Sequence, residues 1–308
     1  MKPNKENIVS LTRQLYESKF PFFYDALYNK EERFKRERPF YQKIVKSRKI
    51  TSILDVGCGN GFHLILFSKL SGVKSVVGVE NSEKMLKLAQ ENLLRENLKK
   101  VILLKKDIRD IDNIDIKFDL ITCIYVLSAL PSNQQVQASL NKFRKLLSPG
   151  GMLIIEDTNG DRIMKQNPTV EFRPMEAEEL RLFKRLNIEV LVCQKLRPLI
   201  HIRKKANRGW RLKISSPSIF RFLQSKNLYF KVYHNLDPFL VNDHLFLSQG
   251  LIKRKQLESF RTVCCLLPRR KLEEFLRKAG FQKIRFYSSH RSTPYTNASY
   301  FQIVTAQN

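Results

Sequence analysis

Between Ser52 and Ile155 short apolar runs take turns with longer stretches in which apolar residues recur three or four positions apart. The short runs, Ser52 to Val56, Ser75 to Val79, Val101 to Leu104, Phe118 to Ile124 and Met152 to Ile155, are predicted strands, and Phe62 to Leu70, Glu83 to Asn92 and Gln134 to Leu147 are predicted helices. Such alternation demands a parallel sheet with helices on both faces. Ahead of it residues 1–51 read as helices: Leu11, Leu15, Phe22 and Leu27 keep the helical spacing, charge is dense from Lys30 to Arg38, and Pro39 is expected to begin a new helical turn. Behind it the alternation stops after Glu156. It resumes near Pro268, with a helix from Arg269 to Ala279 closed by Gly280 and strands at Lys283 to Tyr287 and Tyr300 to Thr305. Roughly a hundred residues stand between these parts as an insertion.

Length and composition fit this division. A chain of 308 residues, 43% hydrophobic, can bury the core of one full α/β domain with an elaboration, and no repeat or low-complexity tract interrupts it. Its five cysteines (Cys58, Cys123, Cys193, Cys264 and Cys265) are scattered and include no C-x-x-C pair, which argues against a disulfide framework and a zinc site and for a reducing compartment. His234, Asp243 and His244 match no metal-ligand spacing, so no metal is expected. The polar N-terminus leads into no signal-like apolar segment, and the longest apolar stretch, Leu120 to Leu130, falls far short of the ~20 residues that span a bilayer. The expectation is a soluble, cytoplasmic protein without a transmembrane segment. Charge changes the picture: 56 Lys and Arg against 29 Asp and Glu give a formal +27, which favours anionic partners or reflects a generally basic proteome.

The candidate chemistry begins where the first predicted strand ends. Ile53-Leu54-Asp55-Val56-Gly57-Cys58-Gly59-Asn60-Gly61 runs from a buried strand through three alternate glycines into a helix, whose start is expected to offer unpaired N–H donors. A glycine-rich turn after a strand is by itself shared with dinucleotide-binding folds, which space theirs G-x-G-x-x-G. Here the spacing is G-x-G-x-G, with an acid two residues before the first glycine. Glu80 ends the next strand, where a carboxylate can accept both hydroxyls of a ribose; the plainer alternative is a solvated acid at a strand end. Asp107, read as the end of the third strand, and Ile108 after it can take an adenine amino group and pack on its ring. Leu147-Ser148-Pro149-Gly150-Gly151 reads as the turn into the fifth strand.

These features in this order resemble the class I S-adenosylmethionine-dependent methyltransferases of small-molecule type, closely over residues 50–156 and again over residues 267–281. The resemblance implies a Rossmann-like seven-stranded sheet with helices on both faces, its last two strands an antiparallel hairpin on the sheet edge, and S-adenosylmethionine as cofactor. It divides the chain into an N-terminal helical lid (1–51), a cofactor-binding core (52–156), an inserted basic α+β substrate-side region between strands five and six (157–266) and a C-terminal completion of the sheet (267–308). By the same resemblance Asp55, Gly57, Cys58, Gly59 and Gly61 belong to the cofactor turn, Glu80 holds the ribose, Asp107 and Ile108 the adenine, Asn81 flanks the ring, and Cys123 to Tyr125 floor the sulfonium. Methyl transfer needs alignment and exclusion of water, and a base only if the acceptor loses a proton, so no catalytic residue is obligatory. Tyr24 and Tyr28, which resemble the family's lid helix, together with His63 and Tyr125 are the catalytic candidates; each is also an ordinary packing residue.

For the acceptor, absences help. The Asn/Asp-Pro-Pro-aromatic sequence of amino-directed base methyltransferases is replaced by Cys123-Ile124-Tyr125-Val126, and Cys123 follows Thr122 where pyrimidine C5 enzymes commonly have a cysteine after proline, so Cys123 reads as a buried strand residue. Against this, residues 195–231 hold eleven Lys and Arg and no acid, interleaved with Trp210, Phe220, Phe222, Tyr229 and Phe230. Such a segment binds RNA or an anionic membrane surface, or else is a basic subdomain with its own aromatic core. The leading expectation is N-, O- or C-methylation of a small molecule. RNA methylation and a non-catalytic cofactor-binding interaction protein are the alternatives.

Overall fold

The apolar runs do become strands of one sheet. The computed structural model describes residues 16–17, 30–130, 132–162, 267–299 and 301–308 in full, and 163–165, 170–173, 201–204, 210–213, 231–234, 244–253 and 256–265 by their backbone alone. The chain divides into two units, Pro3–Lys165 with Cys265–Asn308 and Met1–Lys2 with Gln166–Cys264, each taken by itself below.

The first unit holds β1 (Ser52–Val56), β2 (Ser75–Glu80), β3 (Ile102–Lys105), β4 (Phe118–Ile124), β5 (Leu147–Thr158), β12 (Gln282–Tyr287) and β13 (Phe301–Gln307) in the order β12-β13-β5-β4-β1-β2-β3. All run the same way except β13, which is antiparallel to both neighbours. Adjacent residues of the central strands face opposite sides. Leu54, Ile121 and Ile155 pack beneath α4 (Asn133–Leu146) and α6 (Arg269–Lys278) with Val136, Leu140, Phe143, Leu272 and Leu276. Ile53, Leu120 and Ile154 pack beneath α1 (Lys30–Arg48), α2 (Phe62–Ser68) and α3 (Glu83–Arg95) with Phe40, Tyr41, Leu64, Phe67 and Leu93. Each such fully buried aliphatic or aromatic side chain stabilises the sheet by about 1.5–3 kcal/mol relative to exposure.

The helix ends follow their local chemistry. Ser82 Oγ accepts the Met85 N–H at 3.2 Å and caps α3. Gly280, at φ 89°, closes α6 while Phe281 N–H returns to Leu276 O at 3.0 Å.

Four boundaries differ from expectation. α1 runs unbroken through Pro39, because Phe40, Tyr41 and Val45 are buried along it and outweigh the one helical hydrogen bond that proline cannot donate. Leu147 to Gly151 belong to β5: Phe118 pairs with Leu147 and Leu120 with Met152, so the expected turn is a bulge, with Gly150 at φ 73°. β5 then continues to Thr158, because β13 pairs along it from Met152 to Thr158. β3 stops at Lys105, two residues before Asp107. A short helix α5 (Gly160–Lys165) leads out of the unit.

The second unit comprises β6 (Val170–Arg173), β7 (His201–Lys204), β8 (Trp210–Lys213), β9 (Lys231–His234), β10 (His244–Lys253) and β11 (Gln256–Cys265), in the order β11-β10-β9-β6-β8-β7. The pairings from β10 to β7 are antiparallel. Register aligns Ile202, Leu212, Phe172 and Val232 in one row across four strands. The helical portion expected of this region lies outside the described residues, as do Cys193, Phe220, Phe222, Tyr229, Phe230 and Asp243. Among the described residues no helix is long and apolar enough to cross a membrane.

Candidate functional site

α2, which follows β1, covers one face of the sheet, and α4, which follows β4, covers the other. β1 and β4 are neighbours, so the winding reverses between them and leaves a crevice outside their carboxyl ends. The glycine turn stands in that crevice. Gly57, Gly59 and Gly61 have φ of 72°, 55° and 79°. At Gly57 a β-carbon would lie 2.2 Å from Val126 Cγ2, so only glycine lets the segment after β4 rest on the turn.

Most amides of the turn itself are already engaged within the protein. Gly57 and Cys58 N–H donate to Val79 O at 2.7 and 2.9 Å, Gly59 N–H to Glu80 Oε2 at 3.0 Å, and Gly61 N–H to Cys58 O at 3.0 Å. Phe62, the first residue of α2, donates to Asn60 Oδ1 at 3.2 Å. With these amides engaged, the turn offers a ligand its carbonyl oxygens, which suit a cationic ammonium or sulfonium group and not a pyrophosphate. That separates it physically from the dinucleotide-binding turn. Cys58 contributes backbone only: its buried Sγ lies 2.9 Å from where a Gly78 β-carbon would stand, and burial pushes its thiol well above the ordinary range.

Three acids ring the crevice. Asp55 is buried, accepts Thr122 Oγ1–H at 2.6 Å, and burial raises its carboxyl above the usual value. Glu80 Oε1 accepts the N–H groups of Asn81 and Ser82 at 2.8 Å each; burial pushes it up against the pull of these amides and that of Gly59. Asp107 caps a single 3-10 turn, Ile108–Asp110, through Arg109 N–H at 2.9 Å. Asn81 Nδ2 reaches Asp107 Oδ2 at 2.9 Å, so the two polar residues expected at the adenine are brought together. Burial pushes Asp107 up, but the two-pronged Arg109 guanidinium, 2.7 Å from each oxygen, holds it below the ordinary carboxylate value. Ile108 is buried.

Beyond β4 the backbone turns sharply. Cys123 is fully buried in the core with its thiol pushed well up by burial, and Tyr125 takes φ 56°. His63 is not at the turn's open edge: its Nε2 lies 3.0 Å from Glu37 Oε2 of α1, and its ring stacks with Phe67 and meets Phe62 and Tyr41 edge-on. It serves as a joint between α1 and α2. Tyr24 and Tyr28 lie outside the described residues, but their neighbours Tyr16 and Glu17 are placed. Ser82 Oγ donates to Tyr16 O at 3.1 Å and Glu17 Oε1 accepts Glu83 N–H at 3.0 Å, which fixes these two residues at the start of α3, beside Glu80.

Several buried polar residues were not anticipated. Glu37 receives Arg33 Nε and Arg36 Nη2 at 2.9 Å each as well as His63; burial pushes it up, but His63 and Arg33 hold it well below the carboxylate range. Glu156 and Asp157 stand together on β5, and His290 lies 3.1 Å from Glu156. Two acids ending an apolar run were a visible signal for the first pair; nothing adjacent in the chain announces His290. Among the described residues no group of three or more His, Cys, Asp or Glu is placed to hold a metal ion.

The family model described as a methyltransferase domain matches residues 47–210, more than half of the chain. The chain is 31% identical over 122 residues to a demethylmenaquinone methyltransferase of Listeria monocytogenes serotype 4a, an alignment covering 39% of this chain and 50% of that protein. It thus spans about half the length of the curated relatives it matches. The solved CcbJ methyltransferase from Streptomyces caelestis has a TM-score of 0.67 at 14% identity, covering 94% of this chain and 96% of its own. An S-adenosylmethionine-dependent methyltransferase from Clostridium acetobutylicum has a TM-score of 0.62 at 14% identity, with 94% and 97% covered. At such identity the likeness concerns fold alone. The crevice, the fold and the family match converge on one conclusion: the chain belongs to the methyltransferase-domain family.

Proposed function

We propose that this chain methylates a small molecule at nitrogen, oxygen or carbon, with the cofactor lying across β1 to β3 and the acceptor facing the segment after β4. The observation that supports the small-molecule reading is the fixing of Tyr16 and Glu17 on Ser82 and Glu83, next to Glu80 at the cofactor edge, where a lid over a small acceptor would begin. Tyr24 and Tyr28 then follow as lid residues on the acceptor. Asp55 and the Gly57 and Gly59 carbonyls receive the methionyl ammonium, Glu80 the ribose hydroxyls, Asp107 and Asn81 the adenine amino edge, and Ile108 its ring face. Bound there, the cofactor supplies an electrophilic methyl group on sulfur. The chain's part is to align the acceptor and exclude water. Unpaired buried thiols at Cys58 and Cys123 suit a reducing, cytoplasmic setting. The demethylmenaquinone relative is consistent with a small acceptor, though its alignment covers the cofactor half.

Calorimetric titration with S-adenosylhomocysteine, paired with labelled methyl transfer to a naphthohydroquinone, to a low-molecular-mass metabolite fraction and to bulk RNA, tests the reading. Binding with label in either low-mass sample supports it. No binding, or label in RNA alone, overturns it.

One observation favours RNA as a second reading. In the second unit the register sets Arg203 opposite Arg211 and Arg173 opposite Lys231, in the rows next to the apolar one. A polyanion would neutralise such rows, and RNA affinity should then fall steeply with salt.

A further inference from the structure

Tyr125 is a bulky aromatic residue in the left-handed region, where a non-glycine residue costs about 1–3 kcal/mol and persists only if its surroundings impose it. The surroundings here are specific. Tyr125 N–H donates to Glu156 O at 2.7 Å, and the next residue, Val126, is wedged against Gly57 of the cofactor turn. The strained backbone aims the phenol, whose Oη donates to Glu156 Oε1 at 3.1 Å. Tyr125 keeps 37% of its surface exposed, beside the equally open Phe301 ring at 6.4 Å.

Glu156 is 3% exposed, near the carboxyl end of β5, paired with Ile124 on one side and Ile303 on the other. An ionisable group gains nothing by packing there. Its second oxygen lies 3.1 Å from His290 Nε2, at an ion-pair separation but out of line for a good hydrogen bond. His290 is also buried, its ring edge-on to Phe40 at 5.4 Å. One end of this train therefore opens beside the cofactor turn and the other ends inside the protein.

Building on the methyltransferase reading above, we propose that Tyr125, Glu156 and His290 form a proton train that accepts the proton released by the methyl acceptor. The bookkeeping closes without any redox partner. The acceptor X–H bond breaks and its electron pair forms the X–CH3 bond, while the S–CH3 bond breaks and its pair stays on sulfur, which becomes a neutral thioether. The X–H proton passes to Tyr125 Oη as the Tyr125 proton passes to Glu156 Oε1, and it comes to rest on the Glu156–His290 pair before returning to solvent. Tyr125 is the group that meets the acceptor; Glu156 and His290 act through it. The charged and titratable groups around Glu156 are His290 from the β12–β13 loop, Tyr125 from the end of β4, Glu37, Arg33 and Tyr41 from α1, and Asp157 beside it. Burial pushes the Glu156 carboxyl up, but His290 holds it below its ordinary value, so it is ionised and able to receive a proton.

The test uses Tyr125→Phe, which removes one oxygen, and Glu156→Gln, which keeps the shape. Each should retain S-adenosylhomocysteine affinity within about threefold and lose about a hundredfold in kcat, on whichever acceptor sample of the panel is labelled. The acidic limb of the wild-type kcat profile belongs to the Glu156–His290 pair as a unit, so Glu156→Gln should abolish it and His290→Gln should move it. Independently of turnover, the Tyr125 ring carbon resonance, assigned in labelled protein by its loss in Tyr125→Phe, should shift as pH falls below the ordinary carboxylate value of 4.5 in the wild type and stay still in Glu156→Gln. Undiminished turnover in Tyr125→Phe, or a Tyr125 resonance with the same pH course in both proteins, overturns the train while leaving the methyltransferase reading intact. Failure of the wild type to bind S-adenosylhomocysteine overturns that reading instead.

Discussion

Along one edge of a single sheet, the β1 to β3 half and the β4 to β5 half are built on different plans. Over β1 to β3 the acids beyond the strand ends bond mainly to groups close by in the chain: Glu80 to the N–H groups of Asn81 and Ser82, and to that of Gly59 across the turn, and Asp107 to the N–H and guanidinium of Arg109. Over β4 and β5, and beneath α1, they bond to side chains brought from far away, Glu156 to Tyr125 and His290 and Glu37 to His63. The first plan gives a rigid cradle suited to one unvarying cofactor. The second makes paired charges in a dry setting, where protonation and packing control each other.

The sharpest way to break the first half is Gly57→Val. It forces a branched side chain into φ 72° and against Val126, and should abolish S-adenosylhomocysteine binding in calorimetry while circular dichroism shows the fold retained. Combining Gly57→Ala with Val126→Gly should restore part of the affinity that Gly57→Ala alone loses, because the clash goes and only the backbone strain remains. Wild-type affinity in Gly57→Val would mean that the cofactor lies elsewhere.

For the second half the largest effect should come from Glu37→Ala. It leaves Arg33 and His63, both largely buried, without their carboxylate, a situation that typically costs about 3–5 kcal/mol. Denaturant unfolding should report that loss, and a change below about 1 kcal/mol would show that the charges relax into solvent. Returning to the cradle, Glu80→Gln keeps the shape but surrenders charge-assisted bonds to three amides and to the ribose. Cofactor affinity should fall about tenfold to a hundredfold with little change in melting temperature. If stability fell as much as affinity, Glu80 would be mainly a brace for the turn.

The contrast also explains what the amino-acid sequence disclosed. The order of strands and helices over residues 52–156 was legible because Ile53 and Leu54, or Ile154 and Ile155, are both apolar, as strands buried on two faces require. The cradle was legible because Gly57, Glu80 and Asp107 each stand at or just beyond a strand end. Pro39 misled, because a local rule against proline yields to the burial of Phe40, Tyr41 and Val45, which only the tertiary structure supplies. The bonding of the turn's amides was invisible for a similar reason: their acceptors, Val79 O and Glu80, lie on the neighbouring strand. His63 looked available beside the turn until Glu37, 26 residues earlier, claimed it. No spacing rule connects Tyr125 with Glu156 and His290, because the sheet and not the chain makes them neighbours.

The finest test of the contrast is Asp157, an acid of the β5 half that is bound by backbone amides. It accepts Ser128 N–H at 3.0 Å and Thr158 N–H at 2.8 Å, as Glu80 does its own, yet burial raises its carboxyl to about 6. A raised acid is bound to its proton more tightly in the folded protein than in the unfolded chain. Its stabilising effect is therefore full below the unfolded value of 3.8 and is lost as pH rises to about 6, by roughly 3 kcal/mol in all. Asp157→Asn cannot titrate, but it turns an amide toward one of the two N–H groups and loses that bond at every pH, for about 1–3 kcal/mol. Glu37 and Asp107 titrate alike in both proteins and cancel in the difference, while Glu156, whose charge helps raise Asp157, is held ionised by His290. The stability deficit of the variant should hence be largest near pH 4 and shrink or reverse by pH 7, as read from unfolding midpoints at matched salt. A deficit that stayed constant would place Asp157 with Glu80, as a carboxylate satisfied by its amides, and would shrink the electrostatically unsettled region to Glu37, Glu156 and their histidines.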